Sequence, residues 1–170
     1  MLLLRHCADE PATERLGAAL ARALLRLGLP PLRITLQGDL GAGKTTLVRG
    51  LLRALGVRGR IKSPSYALVE TYNIDSFGLQ LNHCVGITAY HIDLYRFYTP
   101  DEWLDAGLGE ALGGDALCLV EWPERAGGLP PADLQLRLTA DGTGRTVELR
   151  DGTSAGAAVI ESLASAQADV

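Results

Sequence analysis

Apolar positions along the chain follow two rhythms, one with helical spacing and one with the spacing of strands. Leu16, Leu20, Leu24 and Leu27 share a face of a helix over about Ala12 to Leu27, which Gly28 and Pro30-Pro31 end. Leu32, Ile34 and Leu36 alternate as a short buried strand, after which Leu47, Val48, Leu51, Leu52 and Leu55 return to helical spacing until Gly56. Tyr66 to Tyr72 and Ile87 to Tyr95 read as extended runs. The polar, glycine-containing stretch 73–86 between them reads as the far end of a long hairpin. Thr99 as cap, Pro100 in the first turn and Glu102 three residues after the cap predict a helix start. Ala116 to Val120 is a continuous apolar run, the pattern of a central parallel strand buried on both faces. Leu134 to Leu138 and Thr146 to Arg150 alternate around Asp141-Gly142 as a closing hairpin, and 153–170 reads as a weak C-terminal helix or tail. The interleaving predicts one α/β domain over 1–170, its core at about 9–150. Three layers, α/β/α, enclose a mixed, mainly parallel sheet with a C-terminal β-hairpin.

Composition narrows the class without fixing it. The chain has 170 residues, 47% hydrophobic and 21% charged, which is globular and large enough for a core of its own. Its net charge of −4 argues against a generic nucleic-acid surface, so no DNA partner is expected. The early run Leu2-Leu3-Leu4 is too short for a signal peptide, and no stretch is apolar enough to span a membrane. Cys7, Cys84 and Cys118 lie far apart, as do His6, His83 and His91, and neither set has metal-ligand spacing. Reduced thiols and a cytoplasmic location are the expectation.

Chemistry enters with Gly38-Asp39-Leu40-Gly41-Ala42-Gly43-Lys44-Thr45, a complete G-x-x-x-x-G-K-[ST] run between the short strand and the second helix. Its glycines let successive backbone N–H groups turn inward on an anion, and the new helix directs its positive end at the same point. Lys44 then reaches the β- and γ-phosphates of a nucleoside triphosphate, and the Thr45 hydroxyl is placed to ligate Mg²⁺. Of 16 basic residues only Lys44 and Lys62 are lysine. A lysine kept in this loop points to a need for a compact ammonium on a flexible stem.

Two carboxylates extend the reading. Glu121 directly follows the buried strand, where ligands of open α/β sheets collect, and is expected to hold Mg²⁺ directly or through water. Asp93 lies between Ile92 and Leu94, where an ionised group is costly unless it serves something polar. It would orient the attacking water, accept its proton, or complete the magnesium shell. Ser63 and Ser65, separated by Pro64, look like a segment that orders with the triphosphate, and Trp122 is a candidate to pack against the nucleotide.

These segments together resemble one family. Gly38 to Thr46, Lys62-Ser63-Pro64-Ser65-Tyr66, His91-Ile92-Asp93-Leu94-Tyr95-Arg96 and Leu119-Val120-Glu121-Trp122-Pro123 are similar to the successive signatures of the TsaE (YjeE) family, over about Asp9 to Arg150. These are P-loop ATPases of tRNA threonylcarbamoyladenosine (t6A) biosynthesis. The resemblance implies a P-loop NTPase domain using ATP and Mg²⁺, working with the TsaD and TsaB proteins and touching tRNA only indirectly. It implies Thr45 and Glu121 as metal ligands, Lys44 and Asp93 as catalytic residues, and Gly38, Leu40, Gly41, Ala42, Gly43, Lys44, Thr45 and Thr46 as the nucleotide loop. Ser65 and Trp122 join that set, with looser matches at Glu10 and at Gly144-Arg145. Ser65 stands where the family usually has threonine, and the 69–91 hairpin is longer than usual.

Two other classes fit less well. A small GTPase would select guanine with Asn-Lys-x-Asp, which the chain lacks, and Asp75 to Gly78 offers only a short D-x-x-G match. A P-loop kinase for a small metabolite would need an acceptor pocket and an arginine-bearing lid, whereas Arg125, Arg137 and Arg145 are scattered.

Overall fold

A computed structural model describes residues 1–64, 66–74 and 86–165. Seven strands form one sheet in the order β1-β7-β6-β2-β5-β4-β3. These are β1 (Leu2–Cys7), β2 (Leu32–Gln37), β3 (Val69–Ile74), β4 (Ile87–Asp93), β5 (Leu117–Glu121), β6 (Leu134–Asp141) and β7 (Gly144–Asp151). The four middle strands, β6, β2, β5 and β4, run parallel, while β1, β7 and β3 pair antiparallel at the flanks. The sheet is mixed and parallel at its centre, as the sequence pattern predicts. All five residues of β5 are buried, which explains its unbroken apolar run.

One face of the sheet carries α1 (Glu10–Arg26), α2 (Lys44–Ala54) and α5 (Ser154–Ser165) over the main apolar core. Asp9 caps α1 by accepting the Ala12 N–H at 2.7 Å. The α1 and α2 backbones touch. A Cβ on Gly17 would lie 2.1 Å from the Leu47 carbonyl oxygen, and one on Gly50 would lie 2.2 Å from that of Glu14. The opposite face is covered over β4 and β5 by a smaller cluster including Phe97, Trp103, Leu108 and Leu112, from α3 (Glu102–Asp105), α4 (Gly109–Gly113) and their connections.

Three features depart from the sequence pattern. β1 was not legible as a strand, yet it pairs β7 in register from Leu2↔Arg150 to Cys7↔Arg145. Its burial alternates between exposed and half-buried positions up to Cys7, but three consecutive leucines occupy both faces, so the sequence hides that period. The packed unit also extends past 150, because α5 buries Val159, Ile160 and Leu163. The helix signal at Thr99 is real locally: Glu102 accepts the Thr99 N–H at 2.9 Å and the Tyr98 N–H at 3.2 Å. Yet α3 lasts four residues, since Gly107 takes φ +73° and Gly109, Gly113 and Gly114 follow. The far end of the expected hairpin, 75–85, lies outside the described residues, as does 166–170.

Candidate functional site

The carboxyl ends of β2, β4 and β5 meet the start of α2 at a cleft of about 240 Å³. Leu40, Gly41, Gly43, Lys44, Thr45 and Thr46 line one side of it. Ser63, Asp93, Tyr95, Glu121 and Trp122 line the other. The loop needs its glycines: Gly38, Gly41 and Gly43 all have positive φ, at +142°, +81° and +102°. A Cβ on Gly38 would lie 2.4 Å from the Leu138 carbonyl oxygen, and one on Gly43 would lie 2.8 Å from Arg145 Nη1. The cradle is therefore shaped from outside as well as by its own conformation.

Polar side chains are buried here despite the cost. Lys44 is 4% exposed, Asp93 2%, Glu121 2% and His91 0%, and Thr13 is the only other buried polar residue among those described. Lys44 Nζ donates to the Gly38 and Asp39 carbonyl oxygens at 2.6 and 3.0 Å and lies 3.8 Å from the centre of the Trp122 ring. Burial pushes the Lys44 ammonium below its ordinary value, opposed by the charges of Glu121, Glu124, Asp93 and Asp39. Thr45 Oγ1 lies 2.9 and 3.1 Å from the two Glu121 carboxylate oxygens. On the far side His91 Nε2 lies 2.8 Å from Glu121 Oε1. A carboxylate only accepts, so Nε2 carries the proton, and His91 Nδ1 is left buried without a partner.

Asp93 and Glu121 are register partners on neighbouring parallel strands, which puts both carboxylates at one edge of the sheet. Asp93 Oδ1 accepts the Tyr95 N–H at 2.9 Å and Oδ2 accepts the Ser63 hydroxyl, so its orientation is fixed from two directions. Trp122 holds φ +60°, an uncommon conformation for a bulky residue, and its ring packs 4.9 Å from that of Tyr95.

Most sequence-predicted residues meet at this cleft, while several stand behind or beside it. Ala42 is buried under the loop and Gly38 backs it. Glu10 is exposed at the start of α1, paired with Arg49 at 2.6 Å and 3.5 Å from the Thr46 hydroxyl. Gly144 packs its backbone on Cys7, and Arg145 reaches from β7 to Gly43 while donating to Thr13 Oγ1 at 2.9 Å. Ser65 lies outside the described residues. Sequence reasoning gives His91 no role of its own, although it opens the His91-to-Arg96 segment that carries the family resemblance. A histidine two residues before Asp93 on an otherwise apolar strand was the available signal.

The oxygen-only pair of Thr45 and Glu121 suits a hard divalent cation such as Mg²⁺, with phosphate oxygens and water completing its shell. No group of three or more His, Cys, Asp or Glu side chains placed to hold a metal occurs among the described residues.

Fold and cleft define an α/β protein with a glycine-rich strand–loop–helix at the carboxyl edge of its central strands. The model of the TsaE family, "Threonylcarbamoyl adenosine biosynthesis protein TsaE", matches residues 7–147. The chain belongs to this family. It is 39% identical over 160 residues to the "tRNA threonylcarbamoyladenosine biosynthesis protein TsaE" of Haemophilus influenzae, covering 93% of this chain and 95% of that protein. A Treponema pallidum protein of the same name is 35% identical over 133 residues, covering 76% of this chain and 87% of the relative. Among solved structures, Bacillus subtilis YdiB superposes with a TM-score of 0.71 at 25% identity, covering 98% of this chain and 97% of YdiB. No helix among the described residues is long and apolar enough to cross a membrane.

Proposed function

We propose that this chain is a Mg²⁺-dependent ATPase of t6A biosynthesis, which cycles a transferase assembly of TsaD and TsaB proteins and does not itself transfer the threonylcarbamoyl group. The observation that carries the reading is the convergence of Thr45 on Glu121 beside the Lys44 cradle, with Asp93 on the adjoining strand end. Family membership supplies the pathway.

In this reading the cleft takes the triphosphate end of ATP. The loop N–H groups and the start of α2 hold the phosphates, and Lys44 trades its carbonyl partners for phosphate oxygens. Desolvation of Lys44 strengthens that exchange, because its charge acts through little water. Thr45 and Glu121 would hold the cation, which would supply neutralisation of the charge on the phosphates. His91 keeps the Glu121 carboxylate turned toward Thr45. Asp93, fixed by Ser63 and the Tyr95 N–H, orients the attacking water.

Ser63 ties its segment to the site: Asp93 accepts its hydroxyl, the Leu68 N–H donates to Pro64, and the Asp93 N–H donates to Leu68. A change at the γ-phosphate would therefore reach Ser63 and Pro64; beyond them Tyr66 is 87% exposed, its ring 4.1 Å from the Arg96 guanidinium. The test is ATP hydrolysis by the chain alone and with TsaD and TsaB, with Lys44→Ala, Asp93→Ala and Glu121→Ala as controls. Hydrolysis that is lost in the variants and responds to the partners supports the reading. Partner-independent phosphoryl transfer to a small metabolite would replace it with a kinase.

A further inference from the structure

The α1 helix divides its charges by face. Both of its acids are engaged with α2: Glu10 pairs with Arg49 at 2.6 Å, and Glu14 with Arg49 at 2.7 Å and Arg53 at 3.3 Å. Its bases, Arg15, Arg22 and Arg26, fall within a stripe about 40° wide at 100° per residue and about 16 Å long. With Arg5 and His6 of β1 they surround a groove of about 410 Å³ beside α5. Among the described residues no carboxylate lines it, and none of its four arginines is in a salt bridge. Arg5 Nε is buried there without a hydrogen-bond partner, while its Nη1 donates to the Leu4 carbonyl oxygen at 3.0 Å. Arg26 stands in the last turn of α1, where the helix dipole and a 3.3 Å bond to the Ser162 carbonyl oxygen account for it. Neither accounts for Arg15, mid-helix, or Arg5.

Four clustered guanidinium groups in a chain of net charge −4 make a local positive field that the overall charge conceals. Planar forks suit phosphate oxygens. The floor of the groove is apolar, with Cys7, Leu16 and Leu163 buried beneath the arginines. No Phe, Tyr or Trp lines the groove to stack an unpaired base.

We propose that this groove is an RNA-binding site, contacting the phosphodiester backbone of structured RNA through Arg5, Arg15, Arg22 and Arg26 without reading sequence. The choice of RNA follows from membership of a tRNA-modification family; the site itself is separate from the nucleotide cleft and its test needs no ATP.

An unmodified tRNA transcript is titrated against the full chain, without nucleotide, over a series of salt concentrations. Four phosphate contacts on a duplex give a slope of about −3.6 in log Kobs against log salt. The double variant Arg15→Gln/Arg22→Gln lowers the magnitude of the slope by about two and weakens binding at least about tenfold at low salt. Both side chains are exposed, and hydrolysis of ATP by the double variant stays at the parent rate. A 20-base-pair RNA duplex competes with the transcript, whereas poly-glutamate of equal charge does not. No binding at low salt, equal binding by the double variant, or displacement by poly-glutamate overturns the proposal, the last in favour of an acidic polypeptide.

Discussion

Strand β5 is buried at all five of its residues, whereas β7 alternates, with Val147 and Leu149 inside and Glu148 and Arg150 toward water. A side chain that faces water on β7, such as Glu148 or Arg150, costs little and carries no message. Glu121, at the end of β5, has no water to turn to and is answered by Thr45, His91 and the charge of Lys44. The parallel centre thus concentrates the chain's costly polar groups, and the antiparallel flank supplies packing. Burial, more than polarity, separates residues that act from residues that merely face outward.

That contrast predicts a double dissociation between activity and stability. The largest effect is expected from Lys44→Ala: steady-state phosphate release falls about 10³-fold while the melting temperature moves little. A melting temperature lowered as far as a core truncation would lower it breaks the contrast. On the flank, Leu149→Ala should cost about 2–5 kcal/mol in urea denaturation, with hydrolysis per folded molecule unchanged. Glu121→Gln sharpens the comparison because it keeps the shape and removes the charge. Hydrolysis should drop about 10²-fold, while stability stays within about 1 kcal/mol of the parent. A Gln variant as active as the parent would show that the carboxylate is only solvating a strand end.

The smallest effect concerns pH. Burial pushes the Cys118 thiol, on β5, from 9.0 up to about 11. A folded-state value above the unfolded one gives stability that is complete below pH 9 and drains away as pH rises through 11. Urea midpoints should therefore fall by about 1 kcal/mol of stability at pH 10, and Cys118→Val should remove that part of the loss.

Much of this was readable in the chain because the central elements obey one rule each. The glycine-lysine-threonine loop, the unbroken run of β5 and the isolated Asp93 each announce a cost that only a site or a core explains. Edges obey weaker rules. β1 lies at the sheet edge and puts leucines on both of its faces, so its sequence shows no period of two although its burial does. His91 escaped because a histidine's role depends on which atom lies across the sheet, and Glu121 is thirty positions away. The basic groove was hidden for a related reason. Its arginines belong to β1 and α1, and only their packing side by side separates them from the acids that dominate the total.

The paired glycines between α1 and α2 have a mechanical consequence. Where side chains lie between neighbouring backbones, they can shift rotamers to absorb a displacement. At Gly17 and Gly50 there is no such cushion, since one main chain bears directly on the other. The helix that begins at Lys44 and the helix that bears the arginine stripe therefore act as a single strut. A displacement at the phosphate loop would therefore load α1 directly, with no layer of side chains between the two helices to take it up.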